Sequence, residues 1–435
     1  MQQPRAAEKN TPFWWEAAPV TPLPKQPLAK QADVVIVGAG YAGLAAALTL
    51  VRAGRSVTVL DKMNPGEGAS SRNGGITSGN IRLNFNQLKR SFGEERALAI
   101  EAEGKMAREF TYDFIRSEGL DCDFQQVGRF YGVIGRHQYE EAARTAEALH
   151  TKLGIESFAV PHAEQHSYLG TDYYRGGSVR MDIGGLHPAK YFAQMLRITL
   201  AAGATVHSHT AVLSINKDVA GFRVVTSAGT IQARQVLVCT NGYTDGSDPY
   251  LRRRLVPVRS RIITTEELPA DVMARLMPRG MMCGEGKELG LYYRPSPDGK
   301  RIILGGRDAS QSVESDASTQ ALRKGLIELF PELENVQISH SWYGNVAMHR
   351  DMLPRIFEHG GLTYATGFCG SGVVWAPWIG SRAAHKLLGD DQGRSAFDFR
   401  PPPFIPFYAG KPYFMPAFIQ VYRMQDRIAM ARAVR

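Results

Sequence analysis

Apolar and polar positions change period several times along this chain. Residues 34–37 are four β-branched aliphatics in a row, VVIV, and an Ala/Leu-rich run covers 44–51, with glycines at 38, 40 and 43 between the two. A β-branched run, a glycine turn and an Ala/Leu run predict strand, turn and helix. The expectation is a strand at 34–37, a helix over about 41–53 stopped by Gly54, and a second strand at 57–60. Taken as one uncharged block, Val34–Val51 has the length of a minimal membrane span, but its internal grammar is that of a βαβ unit. Gly66 to Gly79 is a Gly/Ser/Asn-rich loop, and helical periodicity covers about 86–118, then 138–152. A helix opens at His187-Pro188, with proline in its first turn, and runs to Gly203.

Alternating patterns predict short strands near 205–207, 211–216, 221–227 and 235–239. Residues 259–266, 290–294, 301–305 and 336–344 read as strands of a different sheet. One more strand at 362–366 leads through a glycine turn into a helix of about 371–388, and the Pro- and aromatic-rich tail 397–417 reads as extended. The chain thus leaves a nucleotide-binding domain and returns to it. The expected division is an irregular arm at 1–31, a discontinuous cofactor domain at 32–84, 185–258 and 345–395, a substrate domain at 85–184 and 259–344, and a C-terminal segment at 396–435. The predicted class is α/β, with an α+β substrate domain inserted into a Rossmann-type domain.

Composition narrows the function classes. With 435 residues, 44% apolar and 21% charged, the chain is long enough for two or three ordinary globular domains. Four cysteines, 122, 239, 283 and 369, lie far apart with no C-x-x-C pair, which excludes a disulfide scaffold and a cysteine-rich zinc site and suits a reducing cytoplasm. Net charge is +9, which favours anionic partners. The densest basic cluster, Arg252, Arg253, Arg254, Arg259 and Arg261, lacks interleaved aromatics, so nucleic-acid binding is not expected. The first residues, MQQPRAAEKNTPFWW, have no apolar stretch behind a basic start, so no secretory signal is expected.

Gly38-Ala39-Gly40-Tyr41-Ala42-Gly43 fits G-x-G-x-x-G between a strand and a helix. Gly38 permits the tight turn, Gly40 lets a pyrophosphate reach the helix N-terminus, and Gly43 lets helix and strand pack closely. The second strand ends in Asp61, whose carboxylate can accept from both ribose hydroxyls of an unphosphorylated adenosine. The motif alone does not separate FAD from NAD. The loop Gly68-Ala69-Ser70-Ser71-Arg72-Asn73-Gly74-Gly75 does, because an NAD enzyme has no need of a second phosphate- and ring-contacting loop at this place.

At these residues the chain resembles the D-amino-acid oxidase/sarcosine oxidase superfamily of flavoenzymes. Gly185-Leu186-His187-Pro188, Val238–Thr244, Tyr292–Arg307 and Gly367–Gly372 carry the likeness further, over most of 12–425. The PFWW start, the GASSRNGG loop, the LRRRLVPV run and the KPYFMPAF tail are similar to the γ-glutamylputrescine oxidase-like branch. The resemblance implies a glutathione-reductase-type FAD fold and oxidation of a C–N bond. It also implies cofactor contacts. Gly38, Gly40, Gly43 and Asp61 match the ADP-binding positions, with Ala42 and Lys62 beside them. Ala69, Ser70, Ser71, Arg72, Asn73, Gly74 and Gly75 match the loop that reaches the flavin. Val212 matches the adenine contact, and Thr240 and Gly242 the second nucleotide loop. Gly370, Ser371, Gly372 and Val373 match a turn whose helix N-terminus faces the flavin.

Departures from the family pattern matter as much. The position of the flavin-linking cysteine falls near Gly344, so the FAD is expected to be non-covalent. The substrate-carboxylate lysine is replaced by Val374, the oxygen-activating lysine by Ile303, and the arginine of glycine oxidases by Asn345 and Val346. The candidates left for the substrate side are Tyr293, Arg307, His349 and Trp375. The activity expected from the resemblance is oxidation of a small-molecule primary or secondary amine, carboxylate-bearing, with O2 reduced to H2O2. An N-carboxymethyl amine such as iminodiacetate or sarcosine fits, and so does a γ-glutamyl polyamine. Two alternatives stand beside it. One is a dehydrogenase passing electrons to a quinone or a partner protein, with the aromatic, basic tail 404–425 touching a membrane. The other is a flavin-binding module without activity.

Overall fold

The computed structural model describes residues 8–83, 85–307 and 316–433. The first seven residues of the expected arm, position 84 at an expected domain boundary and the last two residues lie outside them.

Two mixed sheets of eight strands each organise the chain. The first runs Arg355–His359, Leu362–Thr366, Gly229–Val238, Gln31–Val37, Val57–Leu60, Thr205–His207, with a hairpin of Val212–Asp218 and Gly221–Thr226 attached to Gly229–Val238. Its centre is parallel: Val34 pairs with Val57 on one side and with Gln235 on the other. Strands buried on both faces read as continuous β-branched runs. That is why Val34, Val35 and Ile36 are fully buried. The helices Tyr41–Arg52, Pro188–Ala201 and Gly372–Leu388 contribute to one apolar core with residues of this sheet.

The second sheet runs Ile338–Met348, Val256–Thr265, Ile302–Arg307, Tyr292–Pro295, Met282–Glu285, Arg129–Gly132, Gly177–Arg180, Ser157–Val160. All its pairings are antiparallel except Met282–Glu285 with Arg129–Gly132. Its own core gathers Phe130, Tyr174, Tyr293, Leu326 and Phe330.

Several expectations need correction. The helical stretch 86–118 is two helices, Phe85–Phe92 and Glu94–Ser117, broken at Gly93, whose φ of 85° no helix accepts. The strands Arg129–Gly132, Ser157–Val160, Gly177–Arg180 and Met282–Glu285 were not predicted; each has four residues, too few to display an alternation. The strand expected at 259 begins at Val256, the one expected to end at 344 continues to Met348, and the one expected at 235–239 spans Gly229–Val238. The tail is non-helical to about 414, but Met415–Ala433 is a helix. Its apolar residues are split between a seated side at Ile419 and exposed positions at Phe418, Val421, Met424 and Ile428, which blurs the one-sided pattern that marks an amphipathic helix.

From residue 8 to residue 30 the N-terminal arm is irregular apart from the short helix Trp14–Ala17 and a bridge at Lys9. It is tied down all the same. Lys9 N–H donates to the Ser339 carbonyl at 2.9 Å, and Ser341 N–H donates back to the Lys9 carbonyl at 2.9 Å. Among the described residues no helix is long and apolar enough to cross a membrane.

Candidate active site

One elongated cavity of about 610 Å³ is lined by residues of both sheets. Its first-sheet end is built by the strand–turn–helix unit. Gly38 has φ of 105°, and a Cβ on Gly43 would sit 1.9 Å from the Gly38 carbonyl oxygen, so helix and turn approach as only glycines allow. Gly40 is the N-cap of Tyr41–Arg52 and offers no side chain to its first-turn N–H groups, which leaves that helix end open to the cavity. Asp61 closes the turn: Oδ2 accepts from Ala39 N–H at 2.8 Å and Oδ1 from Met63 N–H at 2.9 Å. Burial raises the Asp61 pKa above the ordinary carboxylate value although both N–H donors pull it down. Lys62 reaches across to the Tyr243 carbonyl at 2.8 Å and to Asp245 at 2.6 Å. Val212 and Thr240 complete this end.

The middle of the cavity is the loop Gly68–Gly75. Ser70 Oγ accepts from Tyr41 N–H at 3.0 Å, which ties the loop to the first helix turn. Ala69, Ser70, Arg72, Asn73, Gly74 and Gly75 line the space. Opposite, Gly370, Ser371, Gly372 and Val373 form the turn and first residues of the 17-residue helix Gly372–Leu388, whose N-cap Ser371 makes no side-chain capping bond. Two helices therefore point N-termini at one cavity with no capping side chain from their own N-cap residues, Ser70 taking only the Tyr41 N–H of the first, an arrangement that favours anions or developing negative charge. With an aspartate for ribose hydroxyls, a loop for a pyrophosphate and a deep slot between two sheets, these residues fit FAD. Ala42 also lines the cavity. Gly43, Ser71 and Gly242 do not. Gly43 serves the turn, Gly242 packs against the strand at Asn345, and Ser71 faces outward, donating to the Gly66 carbonyl at 2.6 Å.

The second-sheet end is cationic. Arg72, Arg82, Arg129 and Arg307 line it, and none forms an ion pair with a carboxylate among the described residues. Arg82 donates to the Cys369 carbonyl at 3.1 Å, and Arg307 sits 5.1 Å from the ring centre of Tyr422 on the C-terminal helix. Protein packed around Arg82 and the like charge of Arg307 both hold its guanidinium below the ordinary value. Solvent reaches Arg82 along the cavity, so both effects are weaker there than in a sealed core. Arg129 stacks 5.3 Å from the ring centre of Tyr131, and its buried Nε has no hydrogen-bond partner. Glu285 on the same wall is occupied, accepting from Tyr174 at 3.1 Å and lying 3.6 Å from Lys287.

Of the four residues expected on the substrate side, only Arg307 lines the cavity. Tyr293 faces the opposite way, fully buried against Phe330 and 3.2 Å from Tyr174 Oη. Its neighbour Tyr292 is the one on the cavity, 3.1 Å from Ser260 Oγ, with its phenol pushed up to about 12 by burial. Successive strand residues face opposite sides, so a one-residue slip in a YY doublet exchanges wall for core. Trp375 is fully buried against Phe397, one helix turn below the glycine turn. His349 lies behind that turn, held by Asp351 at 2.6 Å. Ile303 is buried in a cluster with Trp14 and Trp342 and does not reach the cavity. Gly344, where a linking cysteine was sought, does line it, and so do Cys239 and Cys369.

Sequence reasoning missed the residues that hold the loop from outside. Arg294, nearly fully buried, donates to the carbonyls of Gly75 at 3.0 Å and Leu186 at 2.8 Å. Burial lowers its pKa to about 10. A signal existed: an arginine inside an otherwise apolar strand, YYRP, demands buried acceptors.

Comparison with known proteins agrees with this geometry. The chain is 29% identical over 425 residues to a probable oxidoreductase OrdL of Rhizobium meliloti, covering 95% of this chain and 97% of that one. It is 27% identical over 406 residues to the γ-glutamylputrescine oxidoreductase of Escherichia coli, covering 92% and 93%. The crystal structure of glycine oxidase from Geobacillus kaustophilus superposes with a TM-score of 0.71 at 20% identity, over 87% of this chain and 99% of that one, which shows a shared fold. The family model described as FAD dependent oxidoreductase matches residues 33–386, and the chain belongs to that family.

Proposed function

We propose that this FAD-dependent amine or amino-acid oxidoreductase oxidises the C–N bond of a primary or secondary amine that bears a carboxylate. The product imine is split by water to an aldehyde or oxo acid, releasing ammonia from a primary amine or the smaller amine from a secondary one, and oxygen takes the electrons to give hydrogen peroxide. The observation that carries the carboxylate is the pair Arg82 and Arg307 on one cavity wall, each acting on the other's charge and neither in a direct ion pair with a carboxylate among the described residues, with Glu288 offsetting Arg82 only from a longer range. Two like charges at one site are relieved by an anion, and the planar guanidinium fork suits a carboxylate.

Bound FAD supplies the hydride acceptor. The chain's own residues bind, orient and set protonation. Arg82 and Arg307 would hold the carboxylate, Tyr292 and Tyr131 would wall the substrate, and the surplus of positive charge would lower the amine's pKa. A neutral amine is the form that can release a hydride from its α-carbon, so the cationic wall favours the reactive state. The γ-glutamylputrescine oxidoreductase and glycine oxidase relatives support amine substrates with a carboxylate, and N-carboxymethyl amines or γ-glutamyl polyamines are the leading classes. Four cysteines without a disulfide among them suit the cytoplasm.

The test is a panel of amines with and without carboxylates, mixed anaerobically with holoenzyme while flavin bleaching is followed. Rapid bleaching by acidic amines alone is the expected result. Bleaching by neutral amines alone would defeat the carboxylate reading.

A further inference from the structure

Three indole N–H groups are directed at three consecutive residues of the cofactor loop. Trp15 Nε1 donates to Ser71 Oγ at 2.8 Å, Trp342 Nε1 to the Arg72 carbonyl at 2.7 Å, and Trp14 Nε1 to the Asn73 carbonyl at 2.8 Å. The loop belongs to neither a helix nor a sheet ladder, so its backbone groups need partners from elsewhere. The indoles approach from outside, while Ser70, Arg72, Asn73, Gly74 and Gly75 of the same loop line the cavity.

Two of the three donors come from the N-terminal arm, which among its described residues before the first strand meets the sheets through one bridge, at Lys9. Trp14 is fully buried with Ile262, Ile303 and Trp342, so the arm is plugged into the second sheet just behind the loop. Trp15 does a second thing. The Arg72 guanidinium lies 4.9 Å from its ring centre and donates to the Tyr343 carbonyl at 3.0 Å. Arg72 Nε is left without a hydrogen-bond partner on a side chain that lines the cavity. The arm therefore decides both where the loop runs and where one cavity cation points.

We propose that Trp14, Trp15 and Trp342 are positioning residues for FAD: their indole N–H groups hold Ser71, Arg72 and Asn73 in the cofactor-receiving conformation, which makes the N-terminal arm part of the cofactor site. A loop held ready loses less freedom when the ligand binds, so each donor should appear in cofactor affinity. Loss of one such hydrogen bond leaves a buried acceptor unsatisfied and should weaken FAD about 5- to 30-fold.

Trp14→Phe and Trp15→Phe keep an aromatic ring and remove the donor together with the indole's second ring, whose loss leaves a void at fully buried Trp14. Each apo-protein is titrated with FAD, its thermal melting is recorded without FAD, and the visible absorption band of the bound flavin is compared with the parent's. The expected result is a rise in Kd of about 5- to 30-fold for both, with apo melting close to the parent's for half-buried Trp15→Phe and lowered for fully buried Trp14→Phe. Trp15→Phe should in addition shift the visible band, because phenylalanine holds Arg72 less well. FAD affinity within about twofold of the parent for both variants, with unshifted bands, overturns the proposal and leaves the indoles a packing role. If either variant fails to fold, Ser71→Ala removes the acceptor from the loop side. Weakened FAD binding supports the proposal, and unchanged binding overturns it.

Discussion

Ser70 Oγ accepts the Tyr41 backbone N–H at 3.0 Å, joining two glycine-rich segments 29 residues apart into one receptor. The same hydroxyl sits 3.0 Å from where a Cβ on Gly40 would be, so the turn and the loop define the slot together. Asp61 braces the turn from its other side through Ala39.

This bracing predicts a ranking in cofactor retention. Ser70→Ala leaves the Tyr41 N–H without its acceptor and should cost about 1 kcal/mol of FAD affinity. Asp61→Ala removes a buried charged acceptor and should cost ~1.5–3 kcal/mol. Since burial raises the Asp61 pKa, the empty site binds a proton more readily than an ordinary aspartate. Ribose hydroxyls would prefer the ionised form, so FAD affinity should rise with pH through that raised pKa and be flat in Asp61→Asn. Equilibrium titration of apo-protein at several pH values checks both. Acid precipitation should leave the FAD in the supernatant. Colour retained in the pellet would point to attachment through Cys369 or Cys239, the two cysteines that line the cavity.

Arg307 and Arg82 give a second prediction. Losing one arm of a buried carboxylate–guanidinium contact costs roughly 2–4 kcal/mol, about 30- to 1000-fold in kcat/KM. Arg307→Met should lose that much on acidic amines and little on amines without a carboxylate, with FAD still bound. Arg82→Met should do the same, and because the two charges oppose each other the double variant should fall well short of the sum of the singles. Steady-state kinetics on a matched pair of substrates decides it. A change within about threefold for acidic amines would send the carboxylate to Arg129 instead, another cation of that wall whose buried Nε has no hydrogen-bond partner.

How much of this was legible in the sequence depends on which physical signal each part leaves. The unit from Asp33 to Asp61 was readable because buried parallel strands write unbroken β-branched runs and the turn writes its own glycines. Of the cofactor residues expected, most line the cavity, since small residues at close approach also leave a local mark. The substrate end was poorly legible. Tyr292 and Tyr293 are identical in type, and only the register of a four-residue strand decides which faces the cavity. His349 and Trp375 lie beside wall residues but point into the core, a distinction that depends on long-range packing. The indole donors at positions 14, 15 and 342 meet the loop only in three dimensions, and nothing in their local sequence indicates it.

Oxygen reactivity tests the consequence of Ile303. With an apolar residue there, buried and out of the cavity, the cation that would favour electron transfer to oxygen must come from elsewhere. Arg72 is fixed beside the loop with one nitrogen unpartnered. Arg72→Met should slow reoxidation of the reduced enzyme in air by about tenfold, equivalent to 1.4 kcal/mol in the barrier, while anaerobic reduction by substrate changes little. Stopped-flow traces of the two half-reactions separate these effects. If the parent enzyme itself reoxidises slowly in air but quickly with a quinone, the oxidase reading gives way to a dehydrogenase.

His349 gives a prediction about stability rather than turnover. Its imidazole is buried behind the glycine turn. Burial pulls its pKa down, but Cys369 and Asp351 outweigh that and raise it to about 9. Asp351 is shared with Arg355, which it also contacts directly. A histidine with a raised folded pKa binds its proton more tightly when folded. The stability it contributes is therefore complete below the unfolded value near 6.5 and is lost as pH rises through about 9. The span corresponds to roughly 2–3 kcal/mol, taking the coupling to Cys369 into account. Urea unfolding of the apo-protein should show the parent losing stability between pH 6.5 and 9.5, whereas His349→Gln should be less stable at pH 6.5 and nearly flat over the same range. Because the imidazole does not line the cavity, kcat/KM of the variant should stay close to the parent's at neutral pH. Equal pH slopes in the two proteins would show that His349 is neutral in the fold and that the Asp351 contact is a hydrogen bond without an ion pair.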